Sequence, residues 1–574
     1  MLIKQLKELK DKLWATADQL RANSGLKATE YAEPVLGLIF LRFADVKYSQ
    51  HEAEINNEFN RLKGTRMERP IHEIAIERCG YYLPKESRYN ELLNLPDDAN
   101  LAEAVKNAMI AIEKYTKELE DTLPKDIYYS VNTPENPLVL SNLLRNFKDI
   151  PENVELDIFG EIYEFFLGKF ALAEGQGGGE FFTPSSVVKY MVEVLNPKEG
   201  KILDPACGSG GMFVQTAHYI ERHKNKGEQL NLRAYGVEKT QQTVRLAKMN
   251  LVLNNVRGEI TYANSYYSDP YDSYGNFDYV MANPPFNVDD VLLDKVKEQP
   301  RFNEYGIPQN KSKNKKSDVK ETVPNANYLW INLFATSLKD SGRAALVMAN
   351  SASDAGNSEL EVRKKLVESG VIKQMVTLPS NMFSSVTLPA TLWFFDKAKE
   401  IKDEILFIDA RNVFTQVDRS HRKFSAEQIR NLGIITRLYE GETEEFTKLI
   451  KEYETNMANA PETSDEEDNP PKSYWQENID WLKEKFPEGK YRDVIGLCKV
   501  AKLEGEDGVK DQDYSLNPGR YVGVVIEDDG MTEEEFKDKI KLLKEEYSNL
   551  SNDTNKLEND IYGNLNELLG VSNG

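Results

Sequence analysis

Residues 201–220 read KILDPACGSGGMFVQTAHYI, and this stretch decides the fold. A short apolar strand ends at Asp204, a glycine-rich turn follows, and a helical pattern begins after Gly211. Such a turn lets the backbone approach a ligand closely. It matches neither the dinucleotide pattern GxGxxG nor the Walker pattern, and a carboxylate at the strand end would repel a pyrophosphate. We therefore expect a ligand with a positive group, an ammonium or a sulfonium; a purely structural turn is the alternative.

Short apolar runs, often β-branched, recur on both sides of this stretch, and helical patterns separate the early ones. Strands that alternate with helices predict a parallel, doubly wound α/β sheet. This core is expected to span about residues 175–410. The predicted strands are KILDP, RAYGVE, EITYAN, FDYVMANPP, RAALVMAN, IKQMVTLP and TLWFFDK, and the predicted helices between them include GMFVQTAHYIERH, TQQTVRLAKMNLVLN and ANYLWINLFATSLKD.

Polar side chains stand where the second and third predicted strands end. Glu238 closes RAYGVE, and an acid at the tip of the second strand is positioned to accept both hydroxyls of a ribose. Taken alone, Glu238 fits an ordinary surface glutamate equally well. Asn264, in YANSYYSD after the third strand, is positioned to meet an adenine edge.

The fourth strand, FDYVMA, stops at Asn283, Pro284, Pro285 and Phe286. Asparagine carries a hydrogen-bond acceptor and an NH₂ donor, whereas proline has a carbonyl but no N–H. Two acceptors, Asn283 Oδ1 and the Pro284 carbonyl, suit the two hydrogens of an exocyclic amino group, and Phe286 suits the ring that bears it. We therefore expect a pocket for an amino group on a planar ring, with a strand-ending turn around a buried ring as the alternative.

A further motif, GEFFTP, precedes the first strand. Thr183 is a good N-cap and Pro184 a good first residue for the helix SSVVKYMVEVL. Taken alone, the motif predicts no more than a capped helix start.

Both ends of the chain are predicted to be helical. Residues 1–170 carry apolar residues at helical spacing, with a dense apolar helix in EYAEPVLGLIFLRFADVKY. Near the other end, positions that are apolar except for one threonine follow one another at alternating spacings of four and three residues. This spacing is that of a heptad seam. Such a helix either packs on its own domain or pairs with a helix of another chain. The seam consists of Phe536, Ile540, Leu543, Tyr547, Leu550, Thr554, Leu557 and Ile561.

The amino-acid composition and net charge limit the classes of function that this chain can have. The formal net charge is −22, so the chain either does not bind DNA, confines its basic residues to a patch, or relies on a partner's affinity. The run from Lys311 to Lys320 is the candidate patch, and a solvated loop is the alternative. Three scattered cysteines predict no disulfide framework and no metal site. We find no signal peptide and no apolar run of membrane-spanning length, so we expect a cytoplasmic protein without a membrane partner.

The ordered motifs EFFTP, DPACGSGGM, GVE and NPPF resemble those of S-adenosylmethionine-dependent amino methyltransferases. More narrowly, they resemble the adenine-N6 DNA methyltransferase subunit of type I restriction–modification systems, the HsdM family. The phrases LWATADQLRANSGLKATEYAEPVLGLIFLRFAD and SLNPGRYVG fit that family too, so the resemblance covers about residues 5–525. It implies a helical domain at 1–170, a catalytic domain at 171–480 and a C-terminal assembly region at 481–574.

The resemblance also implies ligands, partners and site residues. The cofactor would be S-adenosyl-L-methionine and the substrate double-stranded DNA with a flipped adenine. Two such subunits would assemble on one specificity subunit, and an endonuclease–translocase subunit would join for restriction. Asn283, Pro284, Pro285 and Phe286 would form the catalytic pocket. The cofactor-binding set would be Glu180, Phe181, Phe182, Thr183, Pro184, Ser185, Asp204, Ala206, Gly208, Ser209, Gly210, Gly211, Glu238 and Asn264.

Two alternatives stay open at this stage. Cytosine N4 is also an exocyclic amine, so the NPPF motif alone does not separate it from adenine N6. An assembly subunit without activity is the second alternative, although each motif is intact. Cys207 lies inside the glycine-rich turn, and we expect it to pack there rather than to attack a base.

Overall fold

The structure is a computed structural model of the 574-residue chain. The chain divides into two compact units, residues 1–523 and residues 524–574, and each is described by itself. The described residues are 3–24, 28–96, 99–151, 162–163, 165–166, 168–170, 183–224, 231–309, 321–383, 389–419, 421–464, 469–524 and 533–568.

A nine-stranded sheet forms the centre of the larger unit, in the order β11-β8-β6-β7-β5-β4-β1-β2-β3. All seven predicted strands are present, so the α/β core is confirmed. Strands β9 and β10 form a separate two-stranded hairpin. The strands are β1 Gly200–Asp204, β2 Leu232–Glu238, β3 Arg257–Tyr262, β4 Phe277–Ala282, β5 Leu338–Ala349, β6 Ile372–Thr377, β7 Ala390–Asp396, β8 Glu404–Asp409, β9 Thr415–Asp418, β10 His421–Lys423 and β11 Cys498–Lys502.

The sheet is mixed, whereas the sequence predicted a parallel one. Strand β7 runs antiparallel to both neighbours, β5 and β6, and β11 runs antiparallel to β8. A parallel return needs a crossover, which is usually a helix. No helix lies between β6 and β7 in the described part of residues 378–389, so β7 returns beside β6 in the opposite direction. Strands β8 and β11 were not predicted.

Helices cover both faces of the sheet, which makes the fold doubly wound. One apolar cluster contains α8, α9 and α15 against the sheet, and another contains α13 and α14. Among the described residues, no helix has the length and apolar character needed to cross a membrane. These helices are α8 Ser185–Leu195, α9 Gly211–His223, α10 Gln241–Leu253, α11 Leu293–Val296, α12 Pro300–Asn303, α13 Asn327–Ser337, α14 Asn357–Glu368, α15 Ala426–Tyr439, α16 Thr443–Asn459 and α17 Lys472–Lys485.

The N-terminal region is helical, as predicted, and shares its core with helix α10. Met249, Val252 and Leu253 of α10 belong to the apolar cluster of this region. The buried Lys47 donates a hydrogen bond from Nζ to the carbonyl of Leu253 at 2.7 Å. Its helices are α1 Ile3–Ser24, α2 Ala28–Leu62, α3 Ile71–Cys79, α4 Tyr89–Leu93, α5 Leu101–Tyr115, α6 Ile127–Val131 and α7 Val139–Phe147.

The C-terminal part of the chain belongs to both units. Strand β11 pairs with β8, so residues after the predicted boundary at 480/481 complete the nine-stranded sheet. The three-domain division at 170/171 and 480/481 otherwise stays a prediction. The smaller unit contains α18, Glu533–Leu568, the predicted heptad helix. Its seam residues are exposed, from 48% at Leu543 to 75% at Tyr547.

Candidate active site

The candidate site lies where the sheet order changes direction. Strands β2 and β3 follow β1 towards one edge, whereas β4 and β5 lie on its other side. Ligands of open α/β sheets bind in this crevice, beyond the carboxyl ends of the strands. Asp204 pairs with Gly236, and Leu203 pairs with Val280. Glu238 and Asn283 therefore each extend about two residues beyond the level of Asp204, and their strands lie about 10 Å apart.

The glycine-rich turn after β1 depends on backbone conformations that favour glycine. Gly208 has a φ of 50° and Gly210 a φ of 81°, in the left-handed region. A Cβ on Gly210 would also come within 2.9 Å of Leu251 Cδ1. Nδ2 of the buried Asn250 donates to the Ser209 carbonyl at 3.0 Å, so the turn is held from helix α10.

Asp204 is buried at the base of this turn, with 1% of its surface exposed. Its Oδ1 accepts a hydrogen bond from the backbone N–H of Ala206 at 3.0 Å. Burial, and to a lesser degree the charge of Glu238, raises the pKa of the Asp204 carboxyl well above its ordinary value. Within the described residues no cation lies at ion-pair distance from Asp204. A positive ligand group would favour the ionised form of this carboxyl.

Glu238 supports the turn and faces the crevice. One carboxylate oxygen accepts from the backbone N–H of Gly208 at 3.2 Å, and the other accepts from that of Thr240 at 2.9 Å. A carboxylate has about four lone-pair sites, so each of its oxygens can accept more than one hydrogen bond. Asn264 is exposed nearby, and its Oδ1 accepts from the backbone N–H of Tyr266 at 3.0 Å. That contact leaves the Nδ2 group of Asn264 to donate.

The NPPF residues stand at the end of β4. Asn283 is half-buried and Pro284 is buried. The half-buried Phe286 packs against both apolar clusters, one on each face of the sheet. Its ring therefore lies over the strand ends and not inside either core.

One cavity of about 900 Å³ joins these elements. Its lining includes residues from the turn after β1, the ends of β2, β3 and β4, and the start of α8. Pro184, Gly210 and Pro284 belong to the same segments but do not line it. The roles predicted for all the site residues, whether or not they line the cavity, stay predictions. The predicted residues that line it are Thr183, Ser185, Asp204, Ala206, Gly208, Ser209, Gly211, Glu238, Asn264, Asn283, Pro285 and Phe286.

The start of α8 differs from the prediction. The helix begins at Ser185, and Pro184 occupies the N-cap position without a side-chain cap. The Pro184 carbonyl accepts from the backbone N–H groups of Val187 and Val188 at 2.9 and 3.2 Å. The helix therefore starts one residue later than predicted, and Thr183 is not its cap. Glu180, Phe181, Phe182 and the Lys311–Lys320 run lie outside the described residues.

The N-terminal region also lines the cavity, which was not predicted from the sequence. Glu33 of α2 pairs with Arg245 of α10 at 3.0 Å, and both residues line the cavity, as do Thr122 and Pro124. No motif marks these positions, because the sequence does not reveal which face of α2 packs against α10.

Cys207 packs, as expected. The residue is 6% exposed and belongs to the apolar cluster on one face of the sheet. Burial, followed by the charges of Asp204 and Glu238, raises the pKa of its thiol well above the ordinary value. The thiol therefore stays protonated at neutral pH and is a poor nucleophile.

Comparison with known proteins assigns the family. A model of the N-6 DNA methylase family matches residues 154–462, and a model of the HsdM N-terminal domain matches residues 9–147. The chain belongs to the N-6 DNA methylase family. It is 34% identical to the type I restriction enzyme MjaIX methylase subunit of Methanocaldococcus jannaschii, over 98% of this chain and 91% of that protein. It is 31% identical to the HindI methylase subunit of Haemophilus influenzae, over 87% of this chain and 97% of that one.

A solved structure agrees with this assignment at the level of the fold. The type I restriction-modification methyltransferase subunit from Streptococcus thermophilus superposes with a TM-score of 0.65, at 19% identity, over 90% of this chain and 99% of that one. This N-6 DNA methylase is thus a methylase subunit of the type I restriction–modification class, and adenine N6 is its target. The cytosine N4 alternative is disfavoured accordingly.

Proposed function

We propose that the cavity binds S-adenosyl-L-methionine in one half and a flipped adenine in the other. The observation that carries this proposal is the shared cavity: the turn after β1, Glu238 and three of the four NPPF residues, Asn283, Pro285 and Phe286, line one space of about 900 Å³. S-adenosyl-L-methionine, when bound, supplies an electrophilic methyl group.

The half of the cavity that would bind the cofactor contains charged and polar groups that suit S-adenosyl-L-methionine. The buried Asp204 offers a carboxylate without a cation partner within the described residues, which suits a positively charged ligand. Glu238 offers two oxygens to a ribose diol. The turn at Gly208 and Ser209 brings backbone close to the ligand because no side chain intervenes at Gly208. Asn264 would donate from Nδ2 to an acceptor nitrogen on the adenine edge of the cofactor.

The half of the cavity that would receive the flipped adenine would activate the N6 amino group by orienting it. Asn283 Oδ1 and the Pro284 carbonyl would accept the two hydrogens of adenine N6. That geometry turns the nitrogen lone pair out of conjugation with the ring and towards the methyl donor. Phe286 would stack on the base, which is worth roughly 1–3 kcal/mol and offsets the few kcal/mol that extrusion from the duplex costs.

Partners follow from the same proposal. The net charge of −22 makes tight binding to DNA by this chain alone unfavourable, so a separate specificity subunit would supply most of the affinity and the sequence recognition. We expect two methylase subunits per specificity subunit, and an endonuclease–translocase subunit for restriction. The exposed seam of α18 is the surface we assign to assembly.

Transfer of labelled methyl groups tests the proposal. The chain, with and without its specificity subunit, is incubated with tritiated S-adenosyl-L-methionine and unmethylated chromosomal DNA, and the bases are separated after hydrolysis. We expect label in N6-methyladenine only when the specificity subunit is present. Label in N4-methylcytosine, RNA or protein would contradict the proposal.

A further inference from the structure

The residue after Phe286 has a backbone conformation that few side chains adopt. Asn287 is exposed and has a φ of 57°, in the left-handed region that glycine favours and asparagine tolerates. The chain turns at this position, directly after the residues assigned to the target pocket. The conformation of Asn287 therefore sets the direction in which the chain continues after the NPPF segment.

A second asparagine holds this turn. Asn327 Oδ1 accepts from the backbone N–H of Asn287 at 2.8 Å, and Asn327 Nδ2 donates to Asn287 Oδ1 at 2.9 Å. Asn325 Nδ2 donates to the same Asn287 oxygen at 3.2 Å. In turn, Asn325 Oδ1 accepts from the backbone N–H of Asn327 at 2.9 Å. Three side-chain amides thus surround one turn.

The fold fixes Asn327 firmly. It is the first residue of α13, is 2% exposed, and belongs to a helix in which every residue is buried. The segment that enters α13 also pairs with the segment that follows NPPF. The backbone N–H of Ala326 donates to the Val288 carbonyl, and that of Val323 donates to the Val291 carbonyl, both at 2.8 Å. Asn287 lies at the end of this ladder.

We infer that Asn327 is a positioning residue for methyl transfer: it locks the turn at Asn287 and thereby holds Asn283 and Phe286 in the arrangement that receives the base. The inference rests on the proposed roles of Asn283 and Phe286. Asn327 does not line the cavity, so it acts through Asn287. Reacting groups need close alignment, and a displacement of about 1 Å lowers a rate by roughly 10²-fold.

The variant Asn327→Ala tests this role in the complex with the specificity subunit. We expect its single-turnover rate on unmethylated chromosomal DNA to fall by roughly 10- to 100-fold. Its affinity for S-adenosyl-L-methionine should stay near that of the wild type, because Asp204 and Glu238 stand on β1 and β2. A lower single-turnover rate with an unchanged cofactor affinity would indicate a positioning role rather than general damage to the fold.

Asn332→Ala is the matched control. Asn332 lies on the same helix, is fully buried, and donates from Nδ2 to the Phe302 and Gly306 carbonyls at 2.7 and 2.8 Å. Its removal should lower the melting temperature as Asn327→Ala does, but leave the single-turnover rate unchanged. Equal rate losses in the two variants would make Asn327 a structural residue only.

A pH profile adds a second readout. In Asn327→Asp an ionised carboxylate still accepts from the Asn287 N–H but cannot donate to Asn287 Oδ1. Burial raises the pKa of such a carboxyl, and protonation restores one donor. The rate of this variant relative to the wild type should therefore rise between about pH 8 and about pH 6. A ratio that does not change with pH contradicts the inference.

Two substitutions at Asn287 keep the inference testable if Asn327→Ala does not fold. Glycine adopts the left-handed conformation without a steric cost, whereas alanine does not. Asn287→Gly should therefore keep more of the single-turnover rate than Asn287→Ala, and equal rates would overturn the inference. If the wild-type complex places no label in adenine, the proposed function fails instead.

Discussion

Replacing Asp204 with asparagine should weaken cofactor binding and stabilise the ligand-free protein at the same time. The oxygen that the amide retains would still accept the N–H of Ala206, which now lies 3.0 Å from Asp204 Oδ1. The second oxygen becomes an NH₂ group, so one charge-assisted hydrogen bond to a positive ligand is lost. Such bonds contribute about 1.5–3 kcal/mol, so the Kd for S-adenosyl-L-methionine should rise about 10- to 150-fold.

Although Asp204→Asn should weaken cofactor binding, it should stabilise the ligand-free protein against unfolding. Burial raises the pKa of Asp204 in the folded state, so this carboxyl favours folding most below its unfolded pKa, and that contribution is lost as the pH rises through the folded pKa. Asparagine does not ionise. The melting temperature of Asp204→Asn should therefore exceed that of the wild type, by more at pH 8 than at pH 5.

Isothermal titration calorimetry and thermal unfolding without ligand measure the two effects. Asp278→Asn is the control: Asp278 accepts from Lys339 Nζ at 2.7 Å near the start of β4, so its loss should lower stability and leave the Kd unchanged. An unchanged Kd in Asp204→Asn, or a lower melting temperature, would refute the reasoning.

Three further predictions concern catalysis and assembly. Asn283→Ala should abolish methyl transfer while cofactor binding stays near normal; equal loss of both would make Asn283 structural. Cys207→Ala should retain transfer, because the thiol only packs; an inactive variant that still binds cofactor would contradict this. Lysine at both Leu543 and Leu550, which are 48% and 61% exposed on α18, should prevent co-purification with the specificity subunit without lowering the melting temperature. Undisturbed assembly would remove the seam from the interface.

Much of the fold could be predicted from local sequence patterns, because strands, turns and helices depend largely on neighbouring residues. The run KILDPACGSGG predicted a strand, a turn and a helix, and the structure has them at β1 and α9. Strand β7 was predicted as a strand but not as antiparallel, because direction depends on the connection and on the partner strands. The start of α8 was displaced by one residue because Pro184, with its carbonyl, takes the cap position instead of Thr183.

The sequence by itself determined the chemistry of this protein: Asp204, Glu238 and the NPPF residues each stand at a strand end, and their functional groups are evident from residue type. Only the tertiary structure decided which distant residues complete the site. Glu33 reaches Arg245 across 212 positions of sequence, and Asn327 holds Asn287 across 40. Such contacts depend on how helices α2 and α13 pack, and packing is set by the whole core rather than by any local pattern.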